Sequence, residues 1–181
     1  MKKISLMLLL IAGLCTPAVL KAQDDDKKDK WLAESKESKA AFVKSDAGLA
    51  NLFKTAYGYV IFPNIGKGAV GVGGAGGKGT VFESGKPIGK ATMVQVTVGL
   101  QAGGQAYREV IFFETKEALQ RFKEDKLEFS GQMSAVAVKA GAAANAKYTD
   151  GVLVFTEERG GLMLEASIGG QKFTYKPFTD K

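Results

Sequence analysis

The stretch GKGAVGVGGAGGKGT, Gly66 to Thr80, contains G-x-G-x-x-G twice, at Gly66-Gly68-Gly71 and at Gly71-Gly73-Gly76. Its reading decides the fold. A dinucleotide fingerprint would sit between a strand and a helix of a parallel sheet, with an acidic residue about twenty positions on. The strand is present, since YGYVIF (Tyr57 to Phe62) is a β-rich run stopped by Pro63. The helix is not, because GTVFESGKPIGKAT (Gly79 to Thr92) continues as strand and turn. A P-loop fails too: Val72 stands where its first glycine belongs, and Lys78 precedes Gly79 rather than Ser or Thr. Glycines at alternating positions instead strip one face of a strand, so that another backbone or a helix packs closely and the strand curves. The stretch reads as a packing device.

Strands surround it. GKPIG (Gly85 to Gly89) is a turn, and TMVQVTVGLQA (Thr92 to Ala102) alternates cleanly. Val94, Val96, Val98, Leu100 and Ala102 share one face, with Gln95, Thr97 and Gln101 on the other, the pattern of a half-buried antiparallel strand. EVIFFE (109–114) follows as a short buried strand. TKEALQRFKED (115–125) is the clear helix within the strand region, capped by Thr115 with Ala118, Leu119 and Phe122 inward. SAVAVKAG, GVLVFTE and GLMLEASIGGQKFTY return to strands. Ahead of Tyr57, Phe42, Leu49, Leu52, Phe53 and Ala56 recur at helical spacings, and Ser45-Asp46 with Gly48 divides the region into two helices. The fold class is therefore α+β: a curved antiparallel β-sheet or barrel with two N-terminal helices and one helix inserted between strands.

The first residues, MKKISLMLLLIAGLCTPAVLKAQ, read as a secretory signal over residues 1–22, with Lys2 and Lys3 ahead of the apolar run Ile4 to Leu14 and Ala22 before the cut. Leu14 ahead of Cys15 disfavours a lipoprotein signal. QDDDKKDK (23–30) reads as a charged disordered tether, 31–56 as the amphipathic helices, and 57–181 as the β-rich core with which they form one domain. The expected location is exported, periplasmic or extracellular. Loss of Lys2, Lys3 and Lys21 lowers the formal net charge from +6 to +3, too mild for a nucleic-acid protein but suited to weak attraction to anionic surfaces. The chain has no histidine, and its one cysteine lies in the leader. Histidine- and thiol-based catalysis and the usual zinc sites are thereby removed. No enzyme, cofactor or metal is expected.

A weak internal repeat runs at an offset of 93 residues. GYVIFPNIGKGAVGVGGAGGKGTVF from Gly58 lies over GVLVFTEERGGLMLEASIGGQKFTY from Gly151, with Gly58/Gly151, Phe62/Phe155, Gly68/Gly161, Gly76/Gly169 and Gly77/Gly170 identical.

The order TAYGYVIFPNIGKGAVGVGGAGGKGTV, GLQAGGQAYREVIFFETKEALQRF, SAVAVKAGAAANA and GVLVFTEERGGLMLEASIGG resembles the SYLF, or Ysc84, domain family over roughly residues 45 to 175. The resemblance implies a non-enzymatic lipid-binding module. Eukaryotic members bind phosphoinositides, and yeast members also bind actin, a partner an exported chain would not meet. Lys67 falls where the family pattern carries its lysine. The expectation is peripheral association with anionic phospholipid membranes through Lys67, which the resemblance implies, and through Lys78, Lys86 and Lys90, which are chosen on charge alone, with Trp31 and Leu32 either docked on the core or resting at the membrane interface. The alternative is a structural or interaction component of the bacterial envelope, assembling through a weakly registered glycine-rich edge.

Overall fold

The computed structural model describes residues 17–70, 72–98, 103–127, 129, 134–159, 166–167 and 170–178. Two helices, α1 (Pro17–Ser45) and α2 (Leu49–Thr55), precede four long strands: β1 (Gly58–Val70), β2 (Val72–Glu83), β3 (Lys86–Val98) and β4 (Gly103–Phe113). Then come α3 (Lys116–Lys123), β5 (Ser134–Ala137), α4 (Ala142–Asn145), β6 (Val152–Glu158), β7 (Ala166–Ser167) and β8 (Gln171–Pro177). The described strands form one curved sheet in the order β7-β5-β6-β4-β1-β2-β3-β8, open rather than closed into a barrel. It is mixed rather than wholly antiparallel, because β5 runs parallel to β6. Among the described residues the two repeat copies do not pair with each other. β1 and β6 flank β4, while β2 and β8 flank β3.

Residues 23–30, expected as a tether, instead continue α1. Lys30 and Glu34 stand one turn apart at 3.9 Å, and Lys28 Nζ lies 4.8 Å from the centroid of the Phe178 ring at the end of β8. Such contacts give a polar helix something to rest on. The inward stripe of α1 is Trp31, Ser35, Ser38 and Phe42, at spacings of four, three and four. Ser35 and Ser38 are buried, and their small side chains let the helix lie close to the sheet. The break at Ser45-Asp46 is where the sequence places it. Asp46 Oδ1 accepts from the Gly48 N–H at 3.0 Å and Oδ2 from the Ala143 N–H at 2.7 Å, so one buried carboxylate turns the chain and ties it to α4.

The sheet has a core on each face. On the helix side, Phe42, Leu49 and Phe53 cover Tyr59, Ile61, Val110, Phe112, Leu153 and Phe155. On the other side, Val60, Phe62, Ile65, Met93, Ile111 and Phe173 pack with α3, which is capped by Thr115 as its sequence predicts. Full burial of each such side chain contributes about 1.5–3 kcal/mol.

The glycine stretch is neither a phosphate loop nor a sheet edge. It forms the β1–β2 hairpin, with Gly66 opposite Gly76 and Gly68 opposite Gly74. Both strands are interior, β1 beside β4 and β2 beside β3, so the edge-pairing route to assembly has no free edge here. Only part of the stretch is a packing device. A Cβ on Gly79 would lie 2.6 Å from the Ile61 carbonyl oxygen and 2.7 Å from Phe62 Cδ1, and one on Gly77 2.8 Å from Ile65 Cγ1. A Cβ on Gly66 would meet nothing within 4 Å.

Strand β3 shows which face of an alternating pattern is covered. Ala91, Met93 and Gln95 are buried, while Val94 and Val96 are 53% and 73% exposed. The valine face points outward because Gln95 belongs to the inner face, opposite Gln171 of β8.

Candidate functional site

Strict alternation along β2, β3 and β8 puts Lys78, Lys90, Thr92, Lys172, Thr174 and Lys176 on one outward face, opposite the side carrying Val81, Ala91, Met93 and Phe173. Cross-strand register arranges them in rows. Lys78, Thr92 and Thr174 form one; Thr80, Lys90 and Lys176 form the next. A further row holds Gly76, Val94 and Lys172.

Helix α1 crosses this face at Trp31. The Thr80 hydroxyl donates to the Trp31 carbonyl at 3.4 Å, and Lys90 Nζ sits 5.1 Å from the indole centroid, within cation–π reach. Beside them lies a cleft of about 220 Å³ lined by Trp31, Lys78, Lys90, Thr92, Thr174 and Lys176. On the other side of α1 a wider depression of about 650 Å³ shares Trp31 and Lys78 and is of mixed charge, adding Lys27, Lys30, Arg108 and Arg159 together with Glu34 and Glu37. Arg108 Nε is committed to Glu157 Oε2 at 3.3 Å. Among the described residues, no carboxylate lies within ion-pair distance of Lys78, Lys90, Lys172 or Lys176. Four cations held on a rigid strand framework without internal counterions present their charge to solvent.

Of the six residues expected from sequence, the structure brings together Trp31, Lys78 and Lys90. Leu32 is half-buried on α1 and lines neither hollow. Lys86 is exposed beside the Ser84-Gly85 turn, opposite Glu83, at the other end of β3 from Val94. Lys67 pairs with Ala75 on β2, a position alternate to Lys78, and its side chain lies outside the described residues. The sequence reading missed Lys172, Thr174 and Lys176. Their signal is the alternation Lys172-Phe173-Thr174-Tyr175-Lys176, which marks a two-faced strand but not its neighbour.

On the inner face a second polar group is fully enclosed. Gln171 Nε2 donates to Glu109 Oε2 at 3.0 Å, and burial pushes the Glu109 carboxyl up to about 7. Burial likewise raises the Tyr107 phenol, with Glu109 adding to the effect.

A shallow, cationic, aromatic-bordered face on a curved sheet defines a binding module. Residues 94–177 match the Ysc84 family, described as a Las17-binding protein actin regulator, and the chain carries a domain of this family, the one its motifs resemble. The chain is also similar to beta cell expansion factor A of Aeromonas veronii, 33% identical over 125 residues covering 67% of this chain and 47% of that protein. It thus spans about half the length of that curated relative.

Proposed function

We propose that this chain is an exported, non-enzymatic module that docks on anionic phospholipid membranes through the face bearing Lys78, Lys90, Lys172 and Lys176 beside Trp31. The observation that carries the reading is the set of four lysines without a carboxylate partner among the described residues, aligned on three adjacent strands. Their spacing on a strand framework suits several lipid head groups at once, and the hydroxyls of Thr92 and Thr174 supply neutral donors between them. Family membership supports a lipid-binding or interaction module in general; the anionic membrane surface is the finer reading.

A basic side chain near an anionic surface contributes ~1 kcal/mol, so four give ~4 kcal/mol and a dissociation constant on the order of 1 mM. Charge alone is therefore weak and salt-sensitive. The test is flotation of the full chain with vesicles of phosphatidylcholine alone or with 30 mol% phosphatidylglycerol, across a salt series. Binding confined to the anionic vesicles and weakening as salt rises is expected. Equal binding to both compositions, or none, rejects the reading.

A further inference from the structure

The outward face does not stop at the lysines. Beyond the Lys78–Thr92–Thr174 row come Gly76 and Val94, then Gly74 and Val96, and across the hairpin Gly66 and Ala106 continue the row of Gly76. Val94 and Val96 are the large hydrophobic side chains exposed among the described residues. They stand over a floor of glycines, and at Gly66 even an added Cβ would find open space. No Asp, Glu, Lys or Arg occurs from Gly68 through Gly77, or from Ala91 through Tyr107. Strand pairing brings the described parts of these two segments side by side in the sheet.

We propose that the outward face of this sheet end, with Val94 and Val96 leading, enters the apolar layer of the bilayer while the lysine rows hold the head groups. The proposal rests on the membrane reading above and adds the part of the molecule that inserts. Three features point to lipid as the occupant. First, the apolar patch is continuous with the cationic rows: the outward order along β3 is Lys90, Thr92, Val94, Val96, and on β2 Lys78 is followed by Gly76 and Gly74. That sequence of polarity matches a path from head group to acyl chain. Second, at ~3.3 Å per residue Val94 and Val96 lie about 7 and 13 Å beyond the Lys78–Thr92 row. An interfacial element buries its apolar face about 5–10 Å into the head-group/acyl boundary, so the valines reach acyl depth while the lysines remain in the polar layer.

Third, the backbone of the β1–β2 hairpin is prepared for an apolar medium. Hydrocarbon offers no partner to an open N–H or C=O group. Here β1 and β2 are each paired on both sides, and β3 is paired on both sides as far as Gln95. Glycine adds no polar side chain to this surface. Lys172, in the row of Val94, lies on the edge strand β8, where its stem can run along the apolar surface and carry the ammonium back to the head groups. Trp31, by contrast, is held in its cleft by Lys90 and Thr80, so insertion falls to the sheet end.

The test uses the full chain carrying Cys15→Ser and Val96→Cys, labelled with an environment-sensitive fluorophore, and vesicles with 30 mol% phosphatidylglycerol. Vesicles should blue-shift the label, and doxyl groups near the top of the acyl chains should quench it. The same label at Lys86→Cys should stay unquenched. The double variant Val94→Ser/Val96→Ser should melt as wild type, because both side chains are exposed, yet bind about tenfold more weakly at high salt. A chain that floats while the Val96 label remains unquenched, or a double variant that binds at high salt like wild type, overturns insertion and leaves membrane docking standing. Absence of flotation overturns both. A label that shifts with protein concentration and no lipid identifies a second copy of the chain as the occupant, which also overturns the proposal.

Discussion

Gln171 on β8 reaches Glu109 on β4 with a hydrogen bond of 3.0 Å, although β1, β2 and β3 lie between their strands in the sheet. The sheet curls until its β8 edge faces β4 across the inner core. Phe173, two residues from Gln171, follows the same path and meets the rings of Phe62, Phe122 and Phe129 at centroid distances of 6.0, 5.2 and 5.5 Å. The polar pair thus sits at the closure of an otherwise apolar interior, and Glu109 Oε1 and Gln171 Oε1 have no partner among the described residues.

Glu109 should make stability fall with rising pH. Burial raises its carboxyl from 4.5 to about 7 in the fold. Below about pH 4.5 both folded and unfolded chains hold the proton, so its contribution is complete. It is lost as pH rises toward 7, where only the folded state still retains the proton, and levels off above that. Glu109→Gln keeps an acceptor for Gln171 without the charge. Its melting temperature relative to wild type should be higher at pH 8 than at pH 4.5. An unchanged difference across that window would place Glu109 in contact with solvent.

Gly79 and Gly66 should respond oppositely to a side chain. Gly79→Val forces atoms against the Ile61 carbonyl and the Phe62 ring, and overpacking of this kind costs about 1–3 kcal/mol. Gly66→Ala enters open space and should stay within about 0.5 kcal/mol of wild type. Urea denaturation of the two variants gives the comparison, and equal destabilisation would contradict the division of the glycine stretch into packed and open positions.

Asp46→Ala should destabilise by about 1–3 kcal/mol, because the Gly48 and Ala143 N–H groups lose the buried carboxylate that accepts from both. The Ala143 N–H, followed by those of Gly48, Gly141 and Ala142, holds the Asp46 carboxyl below its ordinary value against the opposing effect of burial. Its contribution is therefore present above about pH 4 and lost as pH falls through the lowered value. Melting from pH 5 down to pH 2 should show a steeper loss for wild type than for the alanine variant.

Lysines should separate by row rather than by proximity in sequence. Lys172→Gln and Lys176→Gln should each weaken binding to anionic vesicles about fivefold at low salt, the equivalent of ~1 kcal/mol. Lys86→Gln, at the turn, should leave binding within about twofold. If Lys86 matters as much as Lys172, the docking face lies elsewhere.

Trp31→Ala should lower stability by about 1–2 kcal/mol, since the half-buried indole is lost from the junction of α1 with β2 and β3. Thermal melting with and without anionic vesicles distinguishes this from insertion: a variant as stable as wild type but unable to bind at high salt would make Trp31 the inserting group.

What the sequence determined by itself was local. The Asp46 break, the Thr115 cap and the change of period at Tyr57 each depend on residues a few positions apart, and each stands in the structure as its chemistry predicts. Alternation also separated the two faces of β3. Which face is covered was decided by tertiary structure, because a period of two is the same whichever side meets the core. Gln95 lies inside because β8 brings Gln171 alongside it and the sheet curls toward Glu109, leaving Val94 and Val96 outside. The same pairing places Lys172 and Lys176 beside Lys78 and Lys90, and lays α1 across them from the far end of the chain. Those neighbours are set by strand order and curvature, which arise from contacts among residues widely separated in sequence and leave no mark on any single stretch of it.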